Sequence, residues 1–117
     1  MSFSRGDVVL VDYPFSDRTG SKVRPALVVQ SDALNRRITD TILAAISRST
    51  HRVSATQLVI DLATPEGAQS GLRQNSVVQC ENLLTFDHRL ILGKIGSLSG
   101  PLLSRASDCL RTSLELG

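Results

Sequence analysis

A chain of 117 residues with a formal net charge of +2 and an isoelectric point near 8.8 has room for one hydrophobic core. It carries too little positive charge to hold nucleic acid by charge alone. Hydrophobic residues at 41%, charged residues at 21% and a mean hydropathy of +0.04 describe a globular chain, not a disordered one. No apolar run approaches the roughly 20 residues of a membrane-spanning helix, and the first residues lack the apolar stretch of a signal peptide. A single domain over residues 1–117, in the cytoplasm and away from membranes, is the expectation.

In chain order the pattern is mostly β. Residues 8–11, 26–29 and 41–46 are short apolar runs suited to strands. In 57–62, Leu58, Ile60 and Leu62 alternate with Gln57, Val59 and Asp61, the period of two of a half-buried strand. Residues 76–83 read as a fifth strand and 92–98 as a glycine-broken sixth. Turn residues at 16–20, 64–67 and 70–71 separate these runs, and short strands at such spacing predict a small barrel. The end differs: Ser99 is a candidate N-cap, Pro101 suits a first helical turn, and Leu103, Ala106, Leu110 and Leu114 recur at helical spacing. The predicted fold is mostly β with helices, a small barrel closed or flanked by one C-terminal α-helix.

The stretch SKVRPALVV, residues 21–29, sets two cations and a proline in front of an apolar run. Proline has no N–H to give to a ladder, so Pro25 is expected at the first position of a strand or on an edge, and it biases Arg24 toward an extended backbone. Two readings of Arg24 then stand: a charge-stabilising group mounted on a rigid strand end, or a surface arginine paired with a carboxylate. Among 13 basic residues only Lys22 and Lys94 are lysines, and arginines favour bidentate contacts to phosphate or carboxylate. Cys80 and Cys109 lie far apart without a CxxC or Cys/His cluster, so they read as core thiols and no metal site is expected. His51, in a polar loop, and His88, in a turn-like segment, read as solvent-exposed loop histidines.

Arg5-Gly6-Asp7-Val8-Val9-Leu10-Val11-Asp12, then Arg24-Pro25-Ala26-Leu27-Val28-Val29 and Ala44-Ala45-Ile46-Ser47, closely resemble the MazF/PemK family of toxins. The similarity continues in order through Cys80-Glu81-Asn82, Thr85-Phe86-Asp87 and Leu92-Gly93-Lys94-Ile95-Gly96 to the final helix. The resemblance implies an SH3-like, MazF/CcdB-like β-barrel, usually a homodimer, that cuts single-stranded RNA at short preferred sequences without metal or cofactor. It also implies the toxin half of a type II toxin-antitoxin system, silenced by a cognate antitoxin. By the same resemblance Arg24 takes the position of the catalytic arginine. Ser47 takes that of a threonine whose hydroxyl contacts the scissile phosphate, and Glu81 that of an acid used for substrate contact or proton transfer.

Chemistry makes these assignments intelligible. Cleaving RNA through its own 2′-hydroxyl needs a base, positive charge for the developing phosphate dianion, and an acid for the leaving oxygen. Arginine stays protonated, so Arg24 suits charge stabilisation, while Ser47 can donate one hydrogen bond to a phosphoryl oxygen. Glu81 serves as base only if it lies beside the hydroxyl; as an alternative it anchors an arginine or the dimer interface. Phe15, Arg18, Thr19 and Lys22 in the loop after the first strand form the expected RNA wall, with Arg48 and His51 as further RNA contacts. Tyr13 and Phe15 read equally as core residues at the end of that strand.

Two departures from the family stand out. Leu84 occupies a position where the family usually carries arginine, which removes a phosphate contact or a buried pair. Serine at 47 keeps the hydroxyl but loses the β-branch that restrains its rotamer. The antitoxin is expected to carry an acidic, partly disordered tail that occupies the basic groove. Two alternatives remain: a toxin that grips a protein such as gyrase through its C-terminal helix, and a degenerate member that binds RNA or antitoxin without cutting.

Overall fold

Alternating apolar residues form six strands in the computed structural model, which describes residues 3–50 and 53–117. The strands are β1 (Asp7–Pro14), β2 (Ser21–Val28), β3 (Asp40–Ser47), β4 (Gln57–Ile60), β5 (Ser76–Asp87) and β6 (Gly93–Ser97). The helices are α1 (Asp32–Asn35), α2 (Pro65–Ala68) and α3 (Gly100–Leu114), with one 3-10 turn at His88–Leu90. The strands make one antiparallel sheet in the order β4-β5-β3-β2-β1-β6. Among the described residues the edge strands β4 and β6 do not pair with each other, so the predicted barrel takes the form of a curled half-barrel with a C-terminal helix. No helix among the described residues is long and apolar enough to cross a membrane.

The period of two divides each strand between two cores. Val8, Leu27, Ala44, Ile46 and Val78 join Leu58 and Ile60 under Leu102 and Ala106 of α3. Residues of the opposite parity, Val9, Val11, Tyr13, Ala26, Val28, Leu43 and Ala45, build the second core with Phe3 and the half-buried Leu84, Phe86 and Ile91. Leu84, the departure from the family's arginine, is thus an apolar packing residue here. Cys80 is fully buried in the first core and its Sγ lies 3.8 Å from the Ala106 carbonyl, with Cys109 half-buried against the same core. Burial pushes the Cys80 thiol up to about 12, as an inert core residue requires.

Several local expectations are corrected. β2 starts at Ser21, so Pro25 sits inside the strand, opposite Leu10, and not at its first position. β4 ends at Ile60; Leu62 leaves the strand because its N–H goes to Asn75 Oδ1 at 2.9 Å. β5 runs on to Asp87 past a bulge, since Gln79 pairs with Ala45 and Leu83 with the adjacent Ala44, leaving 80–82 without partners on β3. Ser99 occupies the N-cap of α3 without a side-chain cap bond. The helix buries Leu102 and Ala106, while Leu114 at its last turn is exposed. His88 is buried, not exposed: its ring stacks on Phe3 at 6.1 Å and its Nδ1 accepts from the Phe3 N–H at 3.2 Å.

The segment Arg5-Gly6-Asp7 turns out to be structural. The Arg5 N–H donates to Asp32 Oδ1 at 2.7 Å and its guanidinium to Ser107 Oγ at 2.8 Å, while Asp7 pairs with Lys94 at 3.2 Å. This clips the start of β1 to α1, α3 and β6. Gly71 matters for a different reason: at φ +73 any Cβ would run into the Ile95 carbonyl. The loop between α2 and β5 therefore lies against β6, with Ser97 N–H donating to Gln69 O at 2.9 Å.

A cationic groove where two strands part

The groove follows from how β2 leaves β3. Val28 accepts from Gly6 N–H at 2.8 Å on the β1 side, and Val29 donates to Ile42 O at 2.9 Å on the β3 side. Backbone polar groups alternate along a strand, so residues 25, 27 and 29 all address β3. The ladder between β2 and β3 runs through Val28–Leu43, Leu27–Ala44 and Ala26–Ala45 and ends there. Pro25 stands at the next position addressing β3, where it has no N–H to offer. The expectation of an edge position for Pro25 therefore holds for one side of the strand only.

Beyond that point the strands diverge around a cavity of about 630 Å³. Leu10, Pro25, Ile46, Leu72 and Ile95 supply its apolar lining. Lys22, Arg24, Arg48 and Arg73 bring four cations to it, and Ser47, Ser49, Gln74 and Ser76 add polar groups. Its described lining contains no carboxylate. Carried two residues on, the β2–β3 register would set Arg24 opposite Ser47, and both line the cavity where the strands part. Ser47, the last residue of β3, accepts from the Ser49 N–H at 3.1 Å, which bends the chain away from the sheet.

Arg24 is half-buried and its guanidinium carbon lies 5.5 Å from the centre of the Tyr13 ring. Tyr13 pairs with Lys22 and Arg24 with Val11, so the two are diagonal neighbours on one face of the sheet. The Tyr13 hydroxyl donates toward Asn82 O at 3.1 Å and Asn82 Oδ1 at 3.3 Å. Burial pushes the Tyr13 phenol up to about 12, an effect the adjacent Arg24 charge partly opposes.

The structure gathers Arg24, Ser47, Lys22 and Arg48, and leaves the other candidates elsewhere. Glu81 sits in the β5 bulge outside the groove lining, where its carboxylate accepts from Thr56 Oγ1 at 2.9 Å and Gln57 Nε2 at 2.7 Å. Phe15, Arg18 and Thr19 form a separate exposed turn between β1 and β2. There Phe15 N–H donates to Gly20 O at 2.8 Å and Thr19 bonds the Asp17 carboxylate. Phe15 is 40% exposed, so it is not the core residue that one reading made it, whereas Tyr13 is. His51 lies outside the described residues.

Residues 4–114 match the family described as PemK-like, MazF-like toxin of type II toxin-antitoxin system. The chain belongs to this family. It is 32% identical over 120 aligned positions to the Endoribonuclease EndoA of Bacillus subtilis (strain 168), spanning 99% of this chain and 97% of that protein. Solved structures share the fold at lower identity. A mycobacterial endoribonuclease in complex with its cognate antitoxin superposes with a TM-score of 0.80 at 21% identity, covering 99% of this chain and 98% of that one. Mycobacterium tuberculosis toxin MazF-mt6 gives 0.75 at 22% identity, covering 95% and 98%. MazF of a MazE-MazF structure from Deinococcus radiodurans gives 0.72 at 18%, covering 100% and 99%.

In this MazF-like toxin the far wall of the groove, Arg73 and Gln74, escaped the sequence reading. Both belong to a loop that reaches the groove only because Gly71 and Ser97 seat it on β6. The one local signal was Ser70-Gly71, which marks a turn but says nothing of what the turn faces.

Proposed function

We propose that this MazF-like toxin is a sequence-selective endoribonuclease that cuts single-stranded RNA through the 2′-hydroxyl, without metal or cofactor. The observation that carries this reading is the groove itself: four basic residues, one of them half-buried, with Ser47 in the same lining and no carboxylate in the described lining. Such a site suits a phosphodiester, and its apolar lining between the strands accepts an unpaired base.

The substrate phosphate lies between Arg24 and Ser47. As the 2′-hydroxyl gives its proton to solvent water and its oxygen attacks phosphorus, the bond to the 5′-oxygen breaks, that oxygen takes up a proton from water, and negative charge grows on the phosphoryl oxygens. The Arg24 fork and the Ser47 hydroxyl stabilise it, leaving a 2′,3′-cyclic phosphate and a free 5′-hydroxyl. Lys22, Arg48 and Arg73 track the flanking backbone. Glu81 acts in substrate contact or in shaping the β4–β5 junction, since Thr56 and Gln57 already occupy its carboxylate. The silencing partner is an antitoxin whose acidic, partly disordered tail fills the same groove, and the working assembly is a homodimer.

The test is cleavage of a long mixed-sequence single-stranded RNA in EDTA by wild type and Arg24→Ala, with the new ends sequenced. Cuts at one recurring short sequence, slowed about 10²–10³-fold by the substitution while circular dichroism shows the fold intact, are expected. Ser47→Ala slows cleavage less, and Glu81→Gln keeps most of it. RNA left equally intact by wild type and variant rejects the ribonuclease and favours a toxin that grips a protein.

A further inference from the structure

An arginine that stabilises a transition state must be held where the charge appears, and a side chain with four rotatable bonds does not hold itself. Among the described residues no carboxylate pairs with Arg24. Its described neighbour is the Tyr13 ring, with the guanidinium carbon 5.5 Å from the ring centre. We propose that Tyr13 is the positioning residue for Arg24, a role resting on the ribonuclease reading above: its ring face orients the guanidinium, and its hydroxyl fixes the ring to the β5 bulge.

Three observations support this role. Tyr13 is 3% exposed and packs with Val9, Val11 and Ala26, so its ring is itself immobile. Its hydroxyl reaches both Asn82 O and Asn82 Oδ1, and Asn82 Nδ2 donates to Gln79 Oε1 at 3.3 Å. The bulge at 80–82 thus brings a polar anchor to a ring that would otherwise end in an apolar core. The phenol stays protonated at neutral pH, so it presents a neutral donor to Asn82 and an electron-rich face to the cation. A ring contact also leaves all the N–H donors of the guanidinium free for phosphate, which a carboxylate partner would not.

The experiment combines kinetics with nuclear magnetic resonance on the full chain. In wild type, without RNA, the Arg24 Nε–Hε resonance is expected to be ordered and ring-shifted; in Tyr13→Leu it moves to the position of a free arginine. In cleavage assays Tyr13→Leu lowers kcat about tenfold with KM nearly unchanged, and Tyr13→Phe, which keeps the ring, restores most of the rate. An Arg24 signal already mobile in wild type overturns the proposal, even if the leucine variant does not fold. A phenylalanine variant as slow as the leucine variant, while both are folded, overturns it as well. A wild type that leaves RNA intact rejects the ribonuclease reading instead, and the resonance still reports whether the ring holds the guanidinium.

Discussion

The two halves of β2 differ in almost everything but their backbone direction. Ala26 and Leu27 pair with β1 on one side and β3 on the other, Val28 pairs with β3 and bonds the Gly6 N–H just ahead of β1, and all three are fully buried. Ser21 to Pro25 pair with β1 alone, and the side chains there are exposed or half-buried. The first half holds the sheet together; the second supplies two of the four cations of the groove, Lys22 and Arg24. One strand serves both purposes because its ladder to β3 ends at Ala26 while its ladder to β1 continues to Ser21. The contrast explains why two cations and a proline precede a buried run.

Breaking the closed half should cost most. Leu27→Ala removes a fully buried side chain from the core beneath α3, and a loss of about 2–5 kcal/mol is expected in denaturant unfolding. Val23→Ala, four residues earlier at 54% exposure, should change stability by less than about 0.5 kcal/mol. Equal losses at the two positions would mean that the open half is covered in solution.

The β1 residue paired with the open half carries a pH signature. Tyr13, the sole tyrosine, titrates near 12 in the folded chain and near 10 when unfolded. The raised value means that the folded state keeps its proton while the unfolded state begins to lose its own. Stability from this group is therefore complete below pH 10 and is lost as pH rises from 10 to about 12. Chemical unfolding midpoints measured between pH 8 and 12 should fall over that window in wild type and fall less in Tyr13→Phe.

The strands were legible because alternation survives in short windows: Val8 and Val9, or Ala44 and Ala45, point to opposite cores as a period of two requires. Arg24 and Ser47 were named through resemblance to a family, and both line the groove. What could not be read depends on contacts across long separations. His88 is buried by Phe3, 85 residues away. Glu81 leaves the groove because a bulge breaks the period of β5, and no local residue marks where three positions drop out of register. Arg73 and Gln74 reach the groove through a loop seated on β6.

The finest test of the contrast is Pro25→Ala. If the missing N–H is what ends the β2–β3 ladder, an alanine there supplies a donor aimed at β3, and the next pair, with Ile46, becomes available. Two small effects on stability then oppose each other. The unfolded chain gains freedom, which costs about 0.4–1 kcal/mol, while an added ladder bond returns a comparable amount, so net stability should barely move. Function should move more, because closing the split draws Arg24 and Ser47 together and narrows the space for a phosphodiester. Hydrogen exchange decides it: an alanine amide at position 25 that is protected like that of Leu27, with slower RNA cleavage, assigns the groove to the proline. An amide that exchanges freely would show instead that the Ser47 turn and the loop carrying Arg73 hold the strands apart, with Pro25 merely tolerated in the gap.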